Sequence, residues 1–160
     1  MIARCACGRV QYEMMGRPIV SLDCFCDDCQ AGARQLEVVE PTAPVADADG
    51  GTAYVVYRKD RVRCVRGTEL LVKRKLRERS ATSRVVAGCC HSPMLMWFDD
   101  SKHWCPIYRG RVVDEAPRAQ MRVCTRFANG NRGRSDVPEY SGYPVALLAK
   151  LLFALAAMFF

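Results

Sequence analysis

Apolar and polar residues alternate in several short segments of the chain, and this pattern predicts a protein built mainly of β-strands. In residues 9–14, Val10, Tyr12 and Met14 alternate with polar side chains. Successive side chains of a strand point to opposite faces, so one face of this segment is expected to be buried. Further strands are predicted at residues 35–39, 52–57, 61–65, 70–76, 83–86, 94–98 and 111–114. Short strands at this spacing favour an all-β core.

One segment of the chain could form either a helix or a strand, and two others are predicted to interrupt the strands as loops. Residues 69–79 are rich in Leu, Lys, Arg and Glu, which favour helix, so a helix is the alternative to a strand there. Residues 41–51 and 129–135 contain Gly with Pro, Asp or basic residues and are predicted to be surface loops.

The end of the chain has a different character from the rest. Residues 145–160 carry one charge, Lys150, and are otherwise almost entirely apolar, with Pro144 suited to a first helical turn. A helix of this length extends about 24 Å, which is short of the roughly 30 Å of a bilayer core. We therefore expect a domain at residues 1–141 followed by an apolar helix at 142–160. The apolar surface of this helix must be shielded from water by the protein itself, by a second copy in a homodimer, or by a membrane surface.

The composition fits one folded domain with an unusual number of thiols. The chain has 160 residues, of which 50% are hydrophobic and 26% charged, which excludes a large multidomain enzyme and a disordered chain. There are ten cysteines. No apolar signal core precedes Cys5, so we expect a reducing, cytoplasmic location, where clustered thiols bind metal more often than they form disulfides.

The net charge of +7 is concentrated in one stretch of the chain. Residues 58–84 contain eleven Lys or Arg and three Asp or Glu, a net charge of +8, and no aromatic residue. Single-stranded nucleic acids are usually held by aromatic side chains among the cations, so we expect no nucleic acid as partner. A solvated strand face or a small anion site is the favoured interpretation.

Three groups of cysteines are candidates for binding metal. Cys5 and Cys7 are one residue apart, and Cys24, Cys26 and Cys29 fall within six residues. The third group is Cys89-Cys90-His91, from which we expect Cys90 and either Cys89 or His91 to complete the Cys5 and Cys7 site. Thiolates at such spacings can converge on one tetrahedral zinc ion. Cys24, Cys26 and Cys29 supply three ligands, and this number leaves a coordination position open to an incoming thiol.

The remaining candidate residues are assigned to ordinary structural roles. Cys64, Cys105 and Cys124 are dispersed along the chain and are predicted to be core residues. His103 is interpreted as a loop or strand-edge residue. Asp27 and Asp28 are interpreted as solvated turn acids, and the alternative is that they accept hydrogen bonds from the metal ligands or act as a base near the metal.

The ordered motifs resemble those of the glutathione-dependent formaldehyde-activating enzyme family. The resemblance rests on Cys-x-Cys-Gly-x-Val-x-Tyr at residues 5–12, Cys-x-Cys-x-x-Cys at 24–29, Cys90 followed by Ser-Pro, and weakly on residues 136–140. It implies a β-tent of stacked antiparallel sheets and two zinc ions. Cys5, Cys7 and Cys90 match structural zinc ligands, and Cys24, Cys26 and Cys29 match the ligands of a catalytic zinc.

The resemblance also implies an activity, the joining of formaldehyde to glutathione, which is a carbon–sulfur lyase reaction in the reverse sense. The chain departs from the family where Ala87 replaces a cysteine, Cys89 is additional and His91 replaces a glycine. Two hypotheses follow. One is a zinc protein that forms or cleaves thiol–aldehyde adducts, with the basic stretch at residues 58–84 holding the two glutathione carboxylates. The alternative is a non-catalytic zinc-stabilised β module that docks to a partner or membrane through its C-terminal helix.

Overall fold

The computed structural model describes residues 1–39, 45–129 and 135–159, and the chain in these ranges is mainly β. The strands are β1 (Ile2–Arg4), β2 (Gln11–Met14), β3 (Val20–Cys24), β4 (Thr52–Arg58), β5 (Val62–Arg66), β6 (Leu71–Lys75), β7 (Thr82–Ala87), β8 (Ser92–Phe98), β9 (Trp104–Tyr108) and β10 (Met121–Val123). The helices are α1 (Asp27–Val39) and α2 (Val145–Ala156). The predicted mainly β class with an apolar C-terminal helix is confirmed.

The strands form two sheets. The smaller has the order β1-β2-β5, and the larger has the order β10-β3-β4-β9-β8-β7-β6. All neighbours pair antiparallel except β10 and β3, which are parallel, with Val123 opposite Cys24. This parallel pair is an exception within the antiparallel sheets that the resemblance implied. Its register places the residue after β10 beside the end of β3.

The strand predicted at residues 35–39 is wrong, because this segment is the second half of α1. The buried side chains Cys29, Ala33 and Leu36 are four and three residues apart, which is the spacing of one helical face. Asp27 and Asp28 occupy the first turn, where negative charge interacts favourably with the helix dipole. A five-residue window is too short to distinguish this period from strand alternation.

Other predicted segments differ in their outcomes. At residues 69–79 the strand is confirmed as β6, which pairs with β7, and the helical alternative is wrong. The strand predicted at 111–114 is wrong, since the chain makes a 3-10 turn at Arg109–Arg111 and only a single bridge joins Val112 to Ala3. Of the predicted loops, residues 41–44 and 130–134 lie outside the described residues.

Helix α2 is packed on the larger sheet along one face. Leu147, Leu151 and Ala154 are buried, and the two leucines share a core cluster with residues of β3 and β4. Nε2 of His103 lies 2.9 Å from the Leu151 carbonyl oxygen, and Nη1 of Arg58 donates to the Ala157 carbonyl at 2.8 Å. The opposite face of α2 is exposed and almost wholly apolar. No helix among the described residues is long and apolar enough to cross a membrane.

Gly32 in α1 makes room for the buried guanidinium of Arg84 from β7. A Cβ at position 32 would overlap the Nε and Cζ atoms of Arg84, which is only 1% exposed. We therefore expect Gly32→Ala to lower the free energy of unfolding by about 2 kcal/mol, the usual cost of overpacking a core. Urea denaturation measures the loss, and Gly110→Ala is the control, since its Cβ would meet nothing within 4 Å. Equal stability of the two variants would contradict this packing.

Candidate metal centres

The first candidate centre joins the two sheets. The sulfur atoms of Cys5, Cys7, Cys89 and Cys90 all lie within 4.8 Å of one another. Individual separations are 3.6 Å between Cys5 and Cys7, 3.4 Å between Cys7 and Cys89, and 4.0 Å between Cys89 and Cys90. Four thiolates around a tetrahedral zinc ion, with zinc–sulfur bonds of about 2.3 Å, are about 3.8 Å apart. The four donors therefore fit a closed zinc site.

Two tight turns bring these four thiols together. Cys5 follows β1, and its carbonyl accepts a hydrogen bond from the Gly8 amide at 3.0 Å, with Gly8 at a φ of 75°. Cys89 and Cys90 occupy the turn between β7 and β8, and His91 completes it at a φ of 50°. This sharp bend lets both adjacent cysteines face Cys7. The sequence left open whether Cys89 or His91 joins Cys5, Cys7 and Cys90. The structure groups Cys89 with these three thiols and leaves His91 outside the group.

The second candidate centre lies where β3 leads into α1. Cys24 ends β3, Cys29 is in the first turn of α1, and Cys26 lies between them, with all three sulfurs within 4.8 Å of one another. Cys24 and Cys29 are buried and Cys26 is half-buried. Cys26 directly precedes α1, and the N-terminus of a helix stabilises negative charge on such a thiol. The three cysteines expected to act together are thus adjacent in the structure.

Three further residues reach this centre and were not identified from the sequence. Cys124 is buried as predicted and lies near enough to Cys24 to shift the pKa of that thiol, although its sulfur is outside the group of three within 4.8 Å of one another. The Tyr143 side chain lies near Cys26 and Cys124 and helps to lower the pKa of both thiols. The Tyr54 hydroxyl donates to the Cys29 sulfur at 3.7 Å. Cys124 follows β10 directly, so only the parallel pairing of β10 with β3 brings it to the centre.

The hydrogen bonds within the centre favour a negative charge on some of its thiols. Those with Cys24 and Cys29 lower the pKa of the Cys26 thiol, and that with Cys24 lowers the pKa of Cys124 to about 7. The same interactions, together with burial, raise the pKa of the Cys24 thiol, and the pKa of Cys29 is raised to about 12. Burial also raises the pKa of the Cys105 thiol to about 12, as expected for a core cysteine. Several soft thiolate donors around one point are the chemistry that zinc prefers.

A cavity of about 380 Å³ adjoins the second centre. The three thiols, Tyr54 and Tyr143 lie on its wall, together with apolar side chains from the sheet and from α2. The principal apolar residues are Leu22, Val56, Met96, Leu147, Leu148 and Leu151. Its volume lies within the range of small-molecule binding sites.

The basic stretch at residues 58–84 contributes little to this cavity. Of its eleven cations only Arg77 and Arg84 line the wall. Arg77 is exposed and lies 3.8 Å from a carboxylate oxygen of Asp28. The expectation that this stretch as a whole holds two glutathione carboxylates finds little support in this arrangement. Asp27 and Asp28 are exposed, as expected of solvated turn acids, although Asp28 also lines the cavity.

Comparisons with known proteins agree with these features. No curated protein sequence matches the chain. Among solved structures, a protein of Rhodobacter sphaeroides has a similar fold, with a TM-score of 0.52 and 17% sequence identity over 73% of this chain and 92% of the other. The sequence model described as "Glutathione-dependent formaldehyde-activating enzyme" matches residues 1–125, which include all the cysteines of both centres. With more than half of its length matched, the chain belongs to the glutathione-dependent formaldehyde-activating enzyme family.

Proposed function

We propose that both centres bind zinc and that the second one joins a small thiol, such as glutathione, to a small aldehyde, such as formaldehyde, or cleaves the adduct. The observation that carries this proposal is the grouping of three thiols within 4.8 Å of one another on the wall of a 380 Å³ cavity. Three protein ligands leave a position on zinc for a reactant. The reaction requires reduced thiols, which a cytoplasmic location provides.

The chemistry is an addition without change of oxidation state. The thiol releases its proton to solvent, its sulfur forms a bond to the carbonyl carbon as the carbon–oxygen π bond breaks, and the oxygen takes that electron pair and then a proton. Zinc held by Cys24, Cys26 and Cys29 would lower the pKa of the reacting thiol, so that thiolate would be available near neutral pH. Tyr54 orients Cys29 through its hydrogen bond, and the apolar wall excludes water from the reacting atoms.

A second candidate function is a non-catalytic zinc module. The observation in its favour is Cys124, which lies near enough to Cys24 to shift the pKa of that thiol and so offers a fourth protein sulfur, although it is outside the group of three within 4.8 Å. A closed four-thiolate site would serve folding alone. In this case the exposed apolar face of α2, which includes Leu152 and Phe153, would supply the docking surface for a partner, a second copy or a membrane.

Cobalt substitution distinguishes the two candidates. When glutathione is added at millimolar concentration to the cobalt-loaded protein, we expect the sulfur-to-cobalt charge-transfer absorption to rise, because a further thiolate joins the metal. Calorimetry in two buffers of different ionisation enthalpy should show release of a proton on binding. Cys26→Ser should lose this response, whereas Cys64→Ser, a change in β5 outside both centres, should retain it.

The same experiment can exclude the enzymatic proposal. An unchanged cobalt spectrum in the wild-type protein would mean that no thiol reaches the metal. If Cys124→Ala then restores the response, Cys124 occupies the fourth position and the structural module is the correct function.

A further inference from the structure

The wall of the cavity beside the second centre includes a part of the chain that the family match does not contain. Leu147, Leu148 and Leu151 line the cavity from α2, and Tyr143 lines it just before the helix. The match to the family ends at residue 125. The shape and polarity of this cavity are thus set partly by a helix outside the matched region.

The interior of the cavity is poorly suited to a reactant that carries several charges. The buried cation on its wall is Arg84, which is 1% exposed; its Nη2 donates to the Asp28 carbonyl oxygen, and its Nε is buried without a hydrogen-bond partner. The other cations on the wall, Arg77 and Lys102, pair with Asp28 and Asp100 near the surface. Arg84 could therefore pair with one carboxylate at most, and a peptide-like thiol with two carboxylates and an ammonium group would leave charges unpaired in a largely apolar site, which is unfavourable.

We infer that the thiol substrate carries an aliphatic or aromatic organic group, which packs against the leucines of α2 while its sulfur reaches the metal centre. This inference rests on the proposed function and names its substrate class. Burial of the apolar group supplies binding free energy in proportion to the area removed from water. The aldehyde then adds to a thiol that is already held by its organic group.

A series of linear thiols tests the inference directly. Ethanethiol, butanethiol and hexanethiol are titrated into the cobalt-loaded protein, and the charge-transfer absorption gives each dissociation constant. We expect affinity to rise by up to about fourfold for each added methylene group. Glutathione should bind more weakly than hexanethiol.

Two substitutions on the same helix provide a matched comparison. Leu148 lines the cavity and is 49% exposed, whereas Leu152 is 65% exposed and lies on the outer face. Glutamine is compatible with a helix surface at both positions. Leu148→Gln should reduce the affinity for hexanethiol about tenfold while changing that for ethanethiol little, because a polar amide replaces apolar contact at the mouth of the cavity. Leu152→Gln should leave the whole series unchanged.

The outcomes separate this inference from the proposed function. If hexanethiol binds no more tightly than ethanethiol, the inference is wrong, although the metal still accepts thiols. If no thiol alters the cobalt spectrum, the proposed function fails. The binding of butanol and of hexanol to the zinc-loaded protein, measured by calorimetry, then tests the cavity by itself. If hexanol binds more tightly than butanol and Leu148→Gln abolishes this difference, the cavity still selects apolar ligands. Equal affinities for the two alcohols would overturn that selectivity.

Discussion

Cys5→Ser is expected to lower the melting temperature by roughly 10 °C or more, because it removes a ligand from the centre that joins the two sheets. Cys5 follows β1 of the smaller sheet, and Cys89 and Cys90 lie between β7 and β8 of the larger one. Zinc bound there would act as a cross-link, and its binding free energy would be part of the folding free energy. Differential scanning calorimetry of the zinc-loaded protein measures the shift.

The matched control for this experiment is Cys64→Ser. Cys64 lies in β5 and belongs to neither group of thiols. Its replacement should change the melting temperature by only a few degrees. A melting curve of Cys5→Ser that coincides with that of Cys64→Ser would show that the first centre contributes nothing to stability.

Truncation after Tyr143 is expected to destabilise the chain by about 4 kcal/mol and to cause aggregation. The deletion removes the buried Leu147 and Leu151, each of which contributes about 2 kcal/mol by its burial, and it uncovers the core cluster beneath them. Size-exclusion chromatography and urea denaturation measure both effects. A chain that ends at Met158 is the control, since it keeps α2 entire and loses only terminal residues.

The opposite result of the truncation would also be informative. If the shortened chain stays monodisperse and as stable as the full one, α2 is not part of the folding unit. Its apolar surface would then be available mainly for a partner or a membrane.

Local sequence signals predicted most strands whose apolar residues are bounded by turn residues, such as β4 and β8. β3 was not predicted, although its sequence VSLDC places Val20, Leu22 and Cys24 on one face. Its other face is not solvated as a polar face would be expected to be, because Ser21 is fully buried. Ser21 is satisfied by hydrogen bonds to the carbonyls of Tyr54 and Pro117, which no local pattern reveals.

At the metal centres, residues close together in the sequence could be predicted, whereas residues brought together by the fold could not. Cys24, Cys26 and Cys29 could be grouped from sequence because six consecutive residues contain all three. Cys124 and Tyr143 could not, because the pairing of β10 with β3 and the approach of the C-terminal segment bring them there over long sequence separations. The basic stretch was predicted as a unit, yet its side chains alternate between faces of β5 and β6 and so cannot share one site.

The number of zinc ions bound to each chain tests the central claim most directly, namely that two separate thiol groups each hold a metal ion. Native mass spectrometry of freshly prepared, reduced protein should show two zinc ions per wild-type chain and one in Cys26→Ser, with the first centre still filled. A wild-type chain that carries one zinc ion or none under these conditions would contradict the account.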